Sequence, residues 1–488
     1  MKGIPVTDLA DLTTAPATAI ADAVRAGRLS AVEVTEHHLG RIQKLNEPVN
    51  AFVFVDADRA LRVADDVDRR VAAGEDPGPL AGVPLGIKVT ETVAGWPATS
   101  ACSAFADRVG DHDSVHVARL LGAGAVPVGL TASPPMGLMG HTASALYGTT
   151  RNPWNLDRSP GGSSGGASAA LAAGLVPLAT GSDMGGSIRA PASAAGVTGI
   201  KPTYGRIPRG PAYLGAANVV HNGPLARTVA DLARYLDCTA GPDECDPYSS
   251  APPVPSFERA ITELVPGSVR VGWVSDLGGA RAEPEVEAVA LDAARALAAA
   301  VGSELMDVTP AFPVLPGFGA EILAGTTFAD RSPDPEMQSV LPQLFMDLVE
   351  TPGAQQILEM LAATVSSPSL EALIAGNHHR HALNTAMAAV FTEVDLVLLP
   401  TLPVPPLPAE GPYPTTLRGA EHGVGVIGAF TSPFNFTGHP AASVPAGLLD
   451  GLPIGLQVVG RRHEDHVVLA TAAAYERARP WPLLAPGF

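Results

Sequence analysis

The sequence predicts an α/β fold with a covered, largely buried sheet. Runs with helical spacing alternate with short apolar runs along most of the chain, the pattern of strands interleaved with helices. The short runs AVPVGL (125–130), LVPLAT (175–180), VRVGWV (269–274) and VDLVLLP (394–400) are continuously apolar. Strands of that kind have both faces covered. With 488 residues, 46% of them hydrophobic, the chain has enough apolar surface to build such a core.

The elements follow in order. Ser30 and Glu33 make a capping-box pattern ahead of a helix in which Leu39, Ile42 and Leu45 recur at helical spacing. A second helix is expected over 56–73 and a short buried strand over 82–89. The run 112–124 reads as a helix leading into a strand at 125–130. Asn152, Pro153, Asn155, Asp157 and Pro160 mark 148–160 as loop. A small-residue helix over 165–173 precedes a strand at 175–180, and another helix starts near Ser187. Beyond residue 225 come a helix (228–237), a loop (241–256) and a strand (269–274). Pro284 and Gly302 bracket the helix 285–301, as helix ends prefer. The stretch 306–380 reads as irregular, with one helix near 354–365. Strands at 394–400, 441–449 and 452–460 and a helix at 464–477 complete the chain. No repeat or long linker divides it, so one domain over 1–488 is expected.

Composition excludes several classes. A net charge of −18, with no basic cluster, argues against binding a nucleic-acid backbone. Cys102, Cys238 and Cys245 make neither a disulfide framework nor a C-x-x-C pair, which suits a reducing compartment. The N-terminus MKGIPVTDLADL lacks a secretory h-region. The apolar stretch 167–180, broken by Gly174 and Pro177, is too short to span a bilayer. A soluble, cytoplasmic protein is expected, with no membrane and no nucleic-acid partner.

Chemistry is concentrated in residues 159–200. Two glycine–serine clusters lie there, GGSSGG (161–166) and GSDMGGS (181–187), and only Asp183 and Arg189 carry charge. Glycine inside a regular element costs ~0.5–1 kcal/mol relative to Ala, so such clusters imply close backbone packing. Successive N–H groups of Met184, Gly185, Gly186 and Ser187, at a turn before a helix, would make an anion or oxyanion site. Asp183 and Arg189 flank it and could pair to brace the loop. The chain has four lysines, Lys2, Lys44, Lys88 and Lys201, and the last two end the apolar runs GVPLGIK and GVTGIK. A buried lysine loses its proton easily and becomes a candidate general base. The ordinary alternative is a lysine with a buried stem whose ammonium reaches water or a carboxylate.

Other motifs carry less. Gly161-Gly162-Ser163-Ser164-Gly165 fits G-x-S-x-G, but a loop rather than a strand precedes it, against a nucleophile elbow. A Ser-His-Asp esterase built on Ser163 stays open as an alternative, with His439 its best histidine. No S-x-x-K and no P-loop is present. His378, His379 and His381 could hold a metal, but no carboxylate pattern completes a site, so no metal and no cofactor is expected.

The segment GGSSGGASAALAAGLVPLATGSDMGGSIRAPASAAGVTGIKPTYGR (161–206) resembles the signature region of the amidase signature enzymes. AGVPLGIK (81–88), YGTTRNPWN (147–155), NGPLARTVADLA (222–233), FTSPFNFTGHPAASVPAG (430–447) and LPIGLQVVG (452–460) extend the likeness over about residues 16–478. The resemblance implies that family's fold, a large mixed twisted sheet with helices on both faces. Its family-like core would span about 16–305 and 390–478, with 306–425 variable and pocket-shaping. It also implies a Ser–cis-Ser–Lys triad: Ser187 as nucleophile, Ser163 as relay after a cis peptide bond, and Lys88, rather than Lys201, as base. Met184, Gly185, Gly186 and Ser187 would form the oxyanion hole, supported by Asp183, Arg189 and Ser164.

The implied activity is hydrolysis of a small-molecule amide or carbamate, with esters also within reach, by a monomer or homodimer. The chain departs from the family at Val89, usually Asp, and at Ala132 and Pro135, where Asn and Glu are usual. Those replacements favour bulky, neutral acyl or aryl substrates. They count against the alternative of an amidotransferase subunit, which would need a polar glutamine pocket and partner subunits.

Overall fold

The computed structural model describes residues 11–211, 219–253, 255–309, 335–355, 358–359, 370–421 and 424–488. Its helices are α1 (Ala17–Arg25), α2 (Ala31–Val49), α3 (Ala57–Ala72), α4 (Val115–Gly122), α5 (Gly165–Ala172), α6 (Arg189–Ala195), α7 (Val229–Thr239), α8 (Phe257–Glu263), α9 (Pro284–Ala300), α10 (Pro335–Glu350), α11 (Leu370–Glu393), α12 (Ser432–Phe436) and α13 (Asp465–Ala478). The strands are β1 (Phe52–Val55), β2 (Pro84–Lys88), β3 (Val126–Thr131), β4 (Ala143–Ser144), β5 (Gly148–Thr149), β6 (Leu178–Asp183), β7 (Thr198–Lys201), β8 (His221–Ala226), β9 (Val271–Trp273), β10 (Leu305–Asp307), β11 (Leu396–Pro400), β12 (Thr416–Leu417), β13 (Ala420–Glu421), β14 (Ala441–Leu449) and β15 (Leu452–Gly460).

Eleven strands form one mixed sheet in the order β1-β3-β2-β6-β8-β7-β14-β15-β11-β9-β10, covered by helices on both faces. The expected fold class is the one found. β2 runs parallel to both β3 and β6, whereas β6 and β8 are antiparallel. Burial follows the sequence: every residue of β2, β3, β6, β8, β11 and β15 is buried except Ser182. The parallel pairing of β2 with β6 brings Lys88 and Asp183, each the last residue of its strand, to the same edge of the sheet. Ligand sites in α/β sheets form at such carboxyl ends.

Local signals placed most helix ends correctly. Ser30 Oγ accepts from the N–H of Val32 (3.1 Å) and Glu33 (3.3 Å), so the cap at α2 is the one read from the sequence. Thr228 caps α7 in the same way, accepting from Asp231 N–H at 3.2 Å.

Three expectations change. The strand expected at 175–180 is β6, which starts after Pro177 and runs on through Gly181–Asp183 because it pairs with β8 along its whole length. The stretch read as irregular contains α10 and most of α11. α10 encloses Pro342, which reads as a breaker, and the apolar residues of α11 surround its circumference instead of forming one stripe. The helix expected near 354–365 lies mostly outside the described residues. Strands β1, β7 and β8 were not anticipated, being short or rich in Gly, Pro and Asn. No described helix is long and apolar enough to cross a membrane.

Candidate active site

Lys88 ends β2 with its side chain wholly buried. Its backbone N–H donates to Thr180 Oγ1 on β6 at 2.9 Å, which ties the two strand ends together. Its Nζ lies 2.7 Å from Ser163 Oγ and 3.0 Å from Ser182 Oγ. Burial strips water from the ammonium and pulls its pKa down to about 7, against the opposing pull of the Glu91 and Asp183 carboxylates. A large fraction of Lys88 is therefore a neutral amine near pH 7, with a lone pair to offer.

Lys201, the other buried lysine, touches no serine. Its Nζ donates to the carbonyls of His439 (2.5 Å) and Pro202 (3.1 Å), so it joins the end of β7 to the chain before β14. Burial likewise holds its pKa well below the usual lysine value.

The two glycine–serine clusters lie side by side. The peptide bond between Gly162 and Ser163 is cis. Gly162 packs so tightly that a Cβ there would sit 2.8 Å from the backbone of Gly140 and His141. Ser164 N–H donates to the Ser187 carbonyl at 3.2 Å, and Ser164 Oγ donates to the Ser182 carbonyl at 3.4 Å. Ser163 and Ser164 are buried, whereas Ser187, Met184 and Gly185 are half-buried and face outward from the sheet edge.

Asp183 and Arg189 brace this loop as expected. Arg189 donates through Nη2 to Asp183 Oδ1 (2.8 Å) and through Nε to Oδ2 (3.0 Å), with neither side chain exposed. Although burial acts to raise it, the carboxyl of Asp183 is held far below the usual range, chiefly by Arg189 and Asn435. Its oxygens also accept from the N–H of Gly186 (2.7 Å) and Ile188 (3.1 Å). The Gly186 N–H, expected among the oxyanion donors, thus points inward to Asp183. Among the described residues, the N–H groups of Met184, Gly185 and Ser187 meet no acceptor.

The rest of the brace comes from far along the chain. Arg189 Nη1 donates to Gln457 Oε1 (2.7 Å) and the Thr431 carbonyl (2.9 Å), and Nη2 donates to Asn435 Oδ1 (2.6 Å). Thr431 Oγ1 donates to the Gly185 carbonyl at 2.5 Å, joined by Ser432 Oγ at 3.2 Å. Gly186, at φ 129°, sits where a Cβ would come within 2.4 Å of Thr431 Oγ1. Sequence reasoning assigned no role to Asn435, Gln457 or Thr431. Their only signal was membership of the C-terminal segments 430–447 and 452–460.

The histidines stay apart from this chemistry. His439 Nδ1 meets Thr437 Oγ1 at 2.8 Å, not Ser163. His378 and His381 are exposed on α11 and His379 is half-buried there. Among the described residues, no group of three or more His, Cys, Asp or Glu side chains is arranged to hold a metal.

The positions that depart from the family pattern, Val89, Ala132 and Pro135, are all buried. Beside Ser163 lies a second apolar cluster, separate from the main core, in which Met139, Leu344, Leu348 and Ile427 are buried and Met136, Leu138 and Phe345 half-buried. Gly137, between two of these residues, has Ser163 Oγ 3.2 Å from where its Cβ would be. An apolar wall therefore adjoins the serine pair.

Comparison with known proteins gives the same picture from outside. A family model described as Amidase matches residues 33–469. The chain is 37% identical to an acylamidase of Rhodococcus erythropolis over 95% of each chain. It is also 37% identical to the GatA-type component of the Salinispora tropica glutamyl-tRNA(Gln) amidotransferase, over 96% of this chain and 98% of that one. Among solved structures, it resembles a bacterial aryl acylamidase of the amidase signature family (TM-score 0.88, 32% identity, 96% of each chain). A 6-aminohexanoate cyclic dimer hydrolase is similar too (TM-score 0.83, 32% identity, 96% of this chain and 98% of that one).

Proposed function

The chain belongs to the amidase family, and we propose on that premise that it hydrolyses carboxylic amides through an acyl-enzyme on Ser187. Neutral Lys88 accepts the proton of Ser163, whose oxygen takes the proton of Ser187 as that hydroxyl attacks the substrate carbonyl. The N–H groups of Met184, Gly185 and Ser187 receive the developing oxyanion. The C–N bond then breaks, and the proton returns along the same path to the departing amine. Water follows the same route to release the acid and restore Ser187. The observation that carries the proposal is the 2.7 Å contact between a buried, largely neutral amine and Ser163 Oγ.

The apolar wall formed by Met136, Leu138 and Phe345 supports a neutral, aryl or bulky alkyl amide as substrate. Carbamates and esters present the same electrophile and belong to the same test. A panel of p-nitroanilides, simple amides and carbamates is assayed with wild type and Ser187→Ala. Turnover of anilides by wild type alone is expected. Full activity of Ser187→Ala would refute the mechanism.

Equal identity to an acylamidase and to an amidotransferase component keeps a second reading in view. Ammonia release from glutamine, with anilides untouched, would shift the proposal to that role.

A further inference from the structure

One buried carboxylate near Lys88 has no part in the steps above. Glu91 is 8% exposed and sits in the turn that ends β2, where its N–H donates to the Lys88 carbonyl at 2.8 Å. Its Oε2 accepts from Ser114 Oγ at 3.0 Å. Its Oε1 faces Nδ1 of His116 on α4 at 3.8 Å, and the Nε2 of that buried ring meets the Tyr235 hydroxyl of α7. Among the described residues, no lysine or arginine pairs directly with Glu91. A carboxylate held in the interior by one hydroxyl is costly unless a positive group stands nearby.

The groups that face this carboxylate are few. Lys88 on β2, His116 on α4 and Arg209 in the 202–211 loop bear on it, and Tyr235 stands behind His116. Lys88 is itself faced by two carboxylates, Glu91 and Asp183. Asp183 is already matched by Arg189 through two hydrogen bonds. Glu91 is the one left with charge to act on the lysine.

We infer that Glu91 is a positioning residue for the proposed reaction, its carboxylate acting through space to govern the charge on Lys88. The inference rests on the assignment of Lys88 as base. Burial raises the carboxyl of Glu91, but His116, Ser114 and Lys88 outweigh it and keep the group ionised. Replacing it with a neutral side chain removes an attraction that favours the ammonium, so Lys88 gives up its proton at lower pH.

The test is the pH dependence of kcat/KM for wild type, Glu91→Gln, Glu91→Leu, Glu91→Asp and Lys88→Ala. Either neutral variant is expected to move the acid limb down by roughly half a pH unit or more. Glu91→Asp, which keeps the charge, is expected to restore it toward wild type. Glu91→Leu serves where the buried amide of Glu91→Gln impairs folding. An acid limb that stays put, or moves up, in a folded neutral variant overturns the role of Glu91. Retention of activity and acid limb by Lys88→Ala would instead overturn the assignment of the base.

Discussion

Asp183 and Arg189 meet side chain to side chain at 2.8 and 3.0 Å, both out of contact with solvent, six residues apart on either side of the candidate nucleophile. The pair sets the shape of the loop between them, because Asp183 also holds the Gly186 N–H inward. A buried ion pair is poor evidence of stability in itself, but losing one partner strands a charge in the interior.

Arg189→Met is therefore expected to destabilise the protein by about 3–5 kcal/mol. Chemical denaturation of the purified variant checks this. A loss under about 1 kcal/mol would show that Asp183 finds another partner or becomes protonated at little cost.

Activity should follow the charge of Lys88. With its pKa near 7, the neutral amine is the minority form below that pH, so kcat/KM is expected to fall about tenfold per unit there and level off above. A profile flat from pH 5 to 9 would speak against Lys88 as base. Removal of the amine by Lys88→Ala is expected to cost about 10²–10⁴ in kcat.

The same group links pH to stability. The folded pKa of about 7 lies below the ordinary 10.5, so between those values the unfolded chain binds more protons. Stability then rises with pH across that window, and below about 7 the folded state carries the whole cost of burying the ammonium. Lys88→Met should be more resistant to denaturant than wild type at pH 6, with the gap closing as the pH approaches 10. Equal stability at both pH values would contradict the buried-amine account.

Thr431→Val tests the support of the oxyanion loop. Its hydroxyl donates to the Gly185 carbonyl at 2.5 Å, next to two of the N–H groups assigned to the oxyanion. Loss of one such hydrogen bond, about 1–1.5 kcal/mol, predicts a fall in kcat of about tenfold with little change in KM. A change confined to KM would place Thr431 with substrate binding instead.

Asp347 on α10 accepts from Ser103 N–H at 2.6 Å, from Ser103 Oγ and from Gln343 at 3.3 Å, pinning that helix to the loop after β2. Asp347→Ala should loosen the apolar wall to which Phe345 belongs. The expected result is a rise in KM of about tenfold for aryl substrates, and a smaller one for acetamide-sized substrates. Steady-state kinetics on both classes decides it.

Much of the scaffold was legible because its signals are local. Ser30 caps its helix, Pro284 and Gly302 bracket another, and runs such as VDLVLLP are buried strands because few other places suit them. The centre of the sheet was harder. Strands β7 and β8 are short, and β8 contains Gly223 and Pro224, so only their partners reveal them. Residues 335–350 and 370–393 escaped for lack of a clean apolar stripe.

By itself the sequence determined the α/β class, the glycine–serine clusters that allow close backbone contact, and a choice between two buried lysines. Tertiary structure decided which lysine reaches a serine, which loop N–H turns inward, and that Thr431, Asn435 and Gln457 complete the brace. Those outcomes depend on side chains more than 240 positions from the loop they hold. Turn and cap preferences act over a few residues, whereas a hydrogen bond formed across the sheet depends on strand order and register, which no short window of the chain contains.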